Sequence, residues 1–186
     1  KDDITGADGK VILKADTVIE ELATDKEGKL TFTADLPIGF AYYIKETSPA
    51  SGFATTDEIQ EFTFEYEGAE KEKVSYAFTF EDEPTVIEIT KTSLTDGKEL
   101  EGAKLQVTDE SGKVVDSWTS GKEAHIIKEL VVGQKYTLTE TKPADGFVTA
   151  ESITFTVKDN AEAQKIEMKD DVTKVEISKT DISGKE

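Results

Sequence analysis

The 186 residues contain no cysteine, which excludes disulfides, thiolate metal sites and thiol nucleophiles together. Covalent stabilisation, where there is any, must come from other chemistry. Histidine occurs once; His125, in "EAHIIKEL", has no second imidazole to work with and reads as a satisfied or exposed strand residue. The single tryptophan, Trp118, reads as core or as a surface cap. Basic side chains are scarce: 22 Lys plus Arg stand against 40 Asp plus Glu, and the net charge of -18 disfavours a nucleic-acid backbone or an anionic membrane as partner. No apolar run approaches the length of a membrane span, and any export signal is expected in sequence outside this piece. Also missing are a phosphate-binding glycine loop, a serine-nucleophile motif and a calcium loop, so no cofactor and no metal is expected.

What the chain does have is alternation. Short runs rich in Val, Ile, Thr, Phe and Tyr are separated by turn clusters such as "TDKEGK", "LTDGKE", "DESGK" and "PADGF". This spacing predicts an all-β protein of antiparallel sandwiches. The stretch "DTVIEELAT" at 16–24 reads equally well as a helix or a strand. With 36% hydrophobic residues there is material for two modest cores.

An internal repeat sets the boundaries. "LPIGFAYYIKETSPASGF" at 36–53 matches "LVVGQKYTLTETKPADGF" at 130–147, and "FEDEPTVIEITKTS" at 80–93 matches "MKDDVTKVEISKTD" at 168–181. The expectation is a complete module at 85–171, preceded at 1–84 by a module lacking its opening strands. Residues 172–186 then open a further module or act as a donor strand. In the donor reading, "KVEISKTD" of one chain fills the gap in the next and gives a head-to-tail filament. Sequence equivalent to "LEGAKLQV" is still missing from such a complemented module. The other reading is a window on a longer array.

Residues two apart on a strand share a face. Ile87, Ile89 and Lys91 therefore lie together, as do Tyr136, Leu138 and Glu140, and Ile166, Met168 and Asp170. The incomplete parts repeat the arrangement: Tyr42, Ile44 and Glu46; Phe78, Phe80 and Asp82; Val175, Ile177 and Lys179. Each charge could simply mark a strand end where its head reaches water. Recurrence of the same residue types at matching positions favours a buried constellation instead. Burying unpaired charge costs several kcal/mol, and desolvation favours a neutral amine beside neutral acids. A neutral amine is a nucleophile, so Lys91 held against Asp170, with Glu140 moving protons, would yield an amide and one water.

"IEITKTSLTDGKELEGAKLQVTDESGKVVDSW", "LVVGQKYTLTETKPADGF" and "ITFTVKD" resemble the Cna B-type (SpaA-like, prealbumin-like) repeats of Gram-positive surface proteins and pilins. The resemblance implies tandem immunoglobulin-like (prealbumin-like) antiparallel β-sandwiches with a spontaneous intramolecular isopeptide bond. By position it makes Lys91 the amine, Asp170 the acceptor and Glu140, in "ETKPADGF", the assisting acid. Many members of the family carry Asn as acceptor; with Asp, water leaves rather than ammonia. In the first repeat Glu46, in "ETSPASGF", and Asp82, in "FEDEP", match, while the lysine strand is absent. Lys179 is then a candidate to bond Asp82 of another chain. A bond joining a module's first and last strands would contribute roughly 4–5 kcal/mol by analogy with disulfide loop closure.

What the resemblance implies for function is a stalk or pilus-type repeat of a bacterial cell-surface protein, extracellular and attached to the cell wall. Its partners would be neighbouring repeats of the same protein. The alternative is an adhesin module gripping a host or bacterial ligand through exposed loops. A turnover enzyme is not expected, because the reactive constellation would be consumed by its own single reaction.

Overall fold

The computed structural model describes residues 2–65, 68, 76–180 and 182. Eleven strands and no helix are found among them. The chain divides into a first unit, Lys1–Glu46 with Asp57–Phe80, and a second unit, Thr47–Thr56 with Glu81–Glu186.

In the first unit, β1 (Ile4–Thr5) pairs antiparallel with β2 (Val11–Leu13), and β3 (Ala41–Lys45) pairs antiparallel with β4 (Ile59–Thr63). Tyr42 is its main buried aromatic: the ring lies 5.7 Å from Phe62, and its hydroxyl donates to Pro37 O at 2.7 Å. Phe62 in turn meets Tyr76 at 5.1 Å and Phe78 at 5.3 Å. The stretch 16–24 is neither helix nor strand. Its apolar residues Val18 and Leu22 stay exposed, so no packed face is there to pay for ordering the backbone.

The second unit is a two-layer β-sandwich. One sheet has the order β11-β5-β8, from β5 (Val86–Ser93), β8 (His125–Lys128) and β11 (Gln164–Asp170). The other runs β10-β9-β6-β7, from β6 (Lys104–Asp109), β7 (Val114–Thr119), β9 (Lys135–Lys142) and β10 (Ile153–Thr156). Alternation along β5, β6 and β9 sends Ile87, Ile89, Leu105, Val107, Tyr136 and Leu138 inward, where they join Ile127, Phe155, Val157 and Met168 in one core. Trp118 caps this core from the side, half-buried, with His125 stacked on it at 4.0 Å and paired to Asp116 at 2.8 Å.

β5 is the middle strand of its sheet, antiparallel to β8 and parallel to β11. The module's opening and closing strands are thus hydrogen-bonded neighbours running in the same direction. Where β5 begins, buried Thr85 donates its N–H to Gly52 O at 3.0 Å, and its hydroxyl donates to Leu130 O at 2.7 Å. Thr55 adds two hydrogen bonds from its N–H and hydroxyl to Asp159, at 2.8 and 2.9 Å. Gly52 has φ +91° and its missing Cβ would lie 2.6 Å from Glu129 O. Gly146 occupies the matching place with φ +90° and open space around it.

That pair gives a clean comparison. Both Gly→Ala variants carry the backbone penalty of about 1 kcal/mol for a left-handed conformation. Only Gly52→Ala also collides with backbone, which adds roughly 1–3 kcal/mol. Thermal unfolding should show the Gly52 variant distinctly less stable than the Gly146 variant; equal midpoints would remove the close-packing account.

Of the opening or donor strand expected at 172–186, residues 173–180 are in no strand, and 181 and 183–186 lie outside the described residues. Val175, Ile177 and Lys179 are all exposed there. Alternating sequence alone does not make a strand; its backbone N–H and C=O groups need a partner edge, and among the described residues none pairs with it.

Candidate functional site

Three ionisable side chains converge where the two sheets of the second unit face each other. Lys91 comes from β5, Asp170 from the end of β11 beside it, and Glu140 from β9 in the opposite sheet. Period-2 alternation puts each on the inward face: Lys91 continues Ile87 and Ile89, Asp170 continues Met168, and Glu140 continues Tyr136 and Leu138. The Lys91 side chain is 2% exposed, and those of Glu140 and Asp170 are 0% exposed. The strand-end reading of these charges is thereby set aside for this module.

Lys91 Nζ donates to Asp170 Oδ1 and lies 3.2 Å from Glu140 Oε1. Glu140 Oε2 accepts the N–H of Ala150 at 2.8 Å, which fixes the carboxyl. Asp170 Oδ2 is buried and accepts no hydrogen bond from the described residues. The strand ends are pinned as well: Asp170 O accepts from Leu94 N at 2.8 Å, and Lys91 O from Leu100 N at 2.7 Å. Little freedom is left for amine and carboxyl to drift apart.

Burial pushes the Glu140 carboxyl above its ordinary range, while the Ala150 N–H and the Lys91 charge pull the other way. The charge balance explains why burial prevails. One ammonium with two carboxylates would leave a net negative charge in an apolar core, whereas a protonated Glu140 makes the cluster neutral. The arrangement is thus an amine in contact with an acid, with a proton carrier 3.2 Å away.

The residues at the corresponding positions elsewhere in the chain are less buried. Glu46 and Asp82 are half-buried, and Lys179 is exposed. Among the described residues no group of His, Asp and Glu side chains is arranged to hold a metal ion.

A domain profile described as SpaA, prealbumin-like fold, matches residues 1–77 and again 85–172. The chain belongs to this family. Among solved structures, its SpaA-type modules are similar to the Bacillus anthracis TIE protein, with 27% identity and a TM-score of 0.52, over 74% of this chain and 26% of that one. The chain thus spans about a quarter of that protein's length. The shaft pilin SpaA from Lactobacillus rhamnosus GG is similar at 15% identity and a TM-score of 0.45, over 83% of this chain and 70% of that one. BcpA, the major pilin subunit of Bacillus cereus, is similar at 19% identity and a TM-score of 0.41, over 48% of this chain and 31% of that one. No curated protein matches. The β-sandwich expected from the alternation, prealbumin-like as the resemblance implies, is the fold of this chain, and the SpaA-type identity agrees with the resemblance carried by its motifs. Of the described residues, no helix is long and apolar enough to cross a membrane.

Proposed function

We propose that this chain is a load-bearing stalk segment of a Gram-positive cell-surface protein, displayed outside the cell and built of SpaA-type modules, the complete one being 85–171. That module is stapled by an amide between Lys91 and Asp170, and its neighbours are modules of the same kind, linked head to tail. The observation that carries this reading is the contact of a 2% exposed amine with a 0% exposed carboxyl across the module's first and last strands.

The chemistry balances with the residues at hand. One proton passes from Lys91 to Asp170, and the neutral amine Nζ attacks Asp170 Cγ, forming the C–N bond. Glu140 supplies its proton to the departing oxygen and takes one from the nitrogen. The C–O bond breaks, water leaves, and Glu140 ends as it began. Fixing the reactants in the core replaces a bimolecular encounter. The reaction runs once per molecule, so the chain is a substrate of its own fold and no turnover enzyme.

Intact-protein mass spectrometry tests this directly. Purified chain is expected one water below the mass summed from its sequence. A mass equal to that sum would overturn the staple.

A further inference from the structure

Two buried oxygens of the cluster, Glu140 Oε1 and Asp170 Oδ2, accept no hydrogen bond from the described residues. Unpaired polar atoms in a core cost free energy, so one on each acid needs a reason. The Glu140 carboxyl is held asymmetrically. Its Oε2 accepts the Ala150 N–H at 2.8 Å, whereas Oε1 lies 3.2 Å from Lys91 Nζ. A neutral carboxyl has one carbonyl oxygen and one hydroxyl oxygen, and an N–H donor is satisfied by the carbonyl oxygen. The N–H against Oε2 therefore makes that atom the carbonyl and leaves the proton on Oε1, the oxygen facing the amine.

The donor is not free to follow the carboxyl. Ala150 belongs to the connection between β9 and β10, and that connection is fastened by contacts in which Glu140 has no part. Phe147 N–H donates to Ala144 O at 3.1 Å, and the Phe147 ring packs on Leu100, Ala103 and Ala144. Val148 N–H donates to Asp171 O at 3.0 Å, Gly146 O accepts the Thr173 N–H at 2.9 Å, and Phe147 bridges Val172. Ala150 itself packs against the main core. Asp171 directly follows the acceptor, so this one short stretch of backbone grips the end of β11 with Val148 and the proton carrier with Ala150. The two acids are thereby tied to each other.

We infer that the Ala150 N–H is a positioning group for the amide-forming step: set in place relative to Asp170 by the Val148–Asp171 contact, it assigns the Glu140 proton to Oε1, beside Lys91. This rests on the staple reading and gives a main-chain atom a part in it. Any residue except proline supplies such a donor, so the role is carried by the backbone and not by the alanine side chain. The proton balance is unaltered: Oε1 gives its proton to the departing oxygen, and the carboxyl recovers one from the nitrogen.

The contact also has an electrostatic consequence. Burial is the largest influence on the Glu140 carboxyl and raises it; the Ala150 N–H and then Lys91, from β5, lower it, and Asp170, from β11, raises it. Removing the N–H leaves burial less opposed, so the carboxyl keeps its proton to higher pH. A loosened fold would produce no displacement of that sign.

Replacing Ala150 by lactic acid during translation exchanges this one N–H for an ester oxygen and keeps the methyl group. Ala150→Gly does the reverse, keeping the donor and losing the methyl group. Each full chain, held unlinked in denaturant, is refolded at a series of pH values while loss of water is followed by mass. The ester should form the amide roughly 10–10²-fold more slowly at its best pH, with its alkaline fall-off moved to higher pH. Ala150→Gly should keep the wild-type rate and profile. An ester with wild-type rate and profile overturns the positioning role and leaves the staple standing. A slow ester with an unmoved fall-off, or a glycine variant as slow as the ester, reduces Ala150 to packing and overturns it as well. Wild-type chain that never loses water sinks the staple itself, and this assignment with it.

Discussion

Lys91→Ala is expected to lower the thermal midpoint of the second module by roughly 20 °C or more. The variant cannot form the proposed amide that closes a long loop, since Lys91 and Asp170 are 79 apart in sequence, and closure at that length is worth roughly 4–5 kcal/mol. For a module of this size each kcal/mol corresponds to roughly 4–8 °C. It also leaves Asp170 as a free carboxyl buried beside Glu140, both side chains being 0% exposed. Asp170→Asn separates the two effects: an amide acceptor yields the same bond with ammonia leaving, so it should reach the wild-type mass and midpoint. Calorimetry with masses taken on the same samples checks both. A Lys91→Ala midpoint within a few degrees of wild type would deny the bond any stabilising part.

Glu140→Gln should slow bond formation by about 10²–10⁴, the usual contribution of a positioned proton carrier. The substitution keeps size and the acceptor for Ala150 N–H, so the fold should survive while the relay is lost. Wild-type bond formation should also depend on pH in a definite sense. The Glu140 carboxyl is raised by burial, so it keeps its proton above the ordinary carboxylate range and gives it up as pH rises through its shifted value. The deprotonated cluster carries net charge and has no proton for the departing oxygen, so the rate should fall on the alkaline side. Lysines and acids mutated apart from this site should leave that profile unmoved. The measurement is refolding of freshly synthesised or denatured unlinked chain at a series of pH values, with loss of water followed by mass. A flat profile, or Glu140→Gln linking at the wild-type rate, would falsify the relay.

The buried cluster was legible because it depends on the shortest-range regularity a strand has. Lys91, Glu140 and Asp170 each stand two residues beyond an apolar neighbour, and period 2 is enough to put all three inside. The clamp at the start of β5 was not legible. Nothing in "SGF" announces that Gly52 must sit 2.6 Å from where a Cβ would meet Glu129 O, or that Thr85 would bridge Gly52 O and Leu130 O. Those contacts join residues far apart in sequence through backbone atoms, which leave no side-chain pattern. The β1–β2 hairpin escaped for a related reason: its likeness to β6–β7 lies in turn geometry and a shared bulge rather than in apolar letters. The strand expected at 174–180 fails in the opposite direction, its alternation being sound and its pairing edge lacking.

The parallel pairing of β5 with β11 has a consequence for how far the module can be drawn out. With the proposed Lys91–Asp170 amide in place, a tether entering at Thr85 and leaving past Asp170 would reach it within a few residues from either side, and the stretch from Thr92 to Lys169 would see no tension. At about 3.5 Å per residue that stretch holds roughly 270 Å of contour length. A stapled array is in this sense an inextensible cord, whereas each unlinked module in it would be a spool.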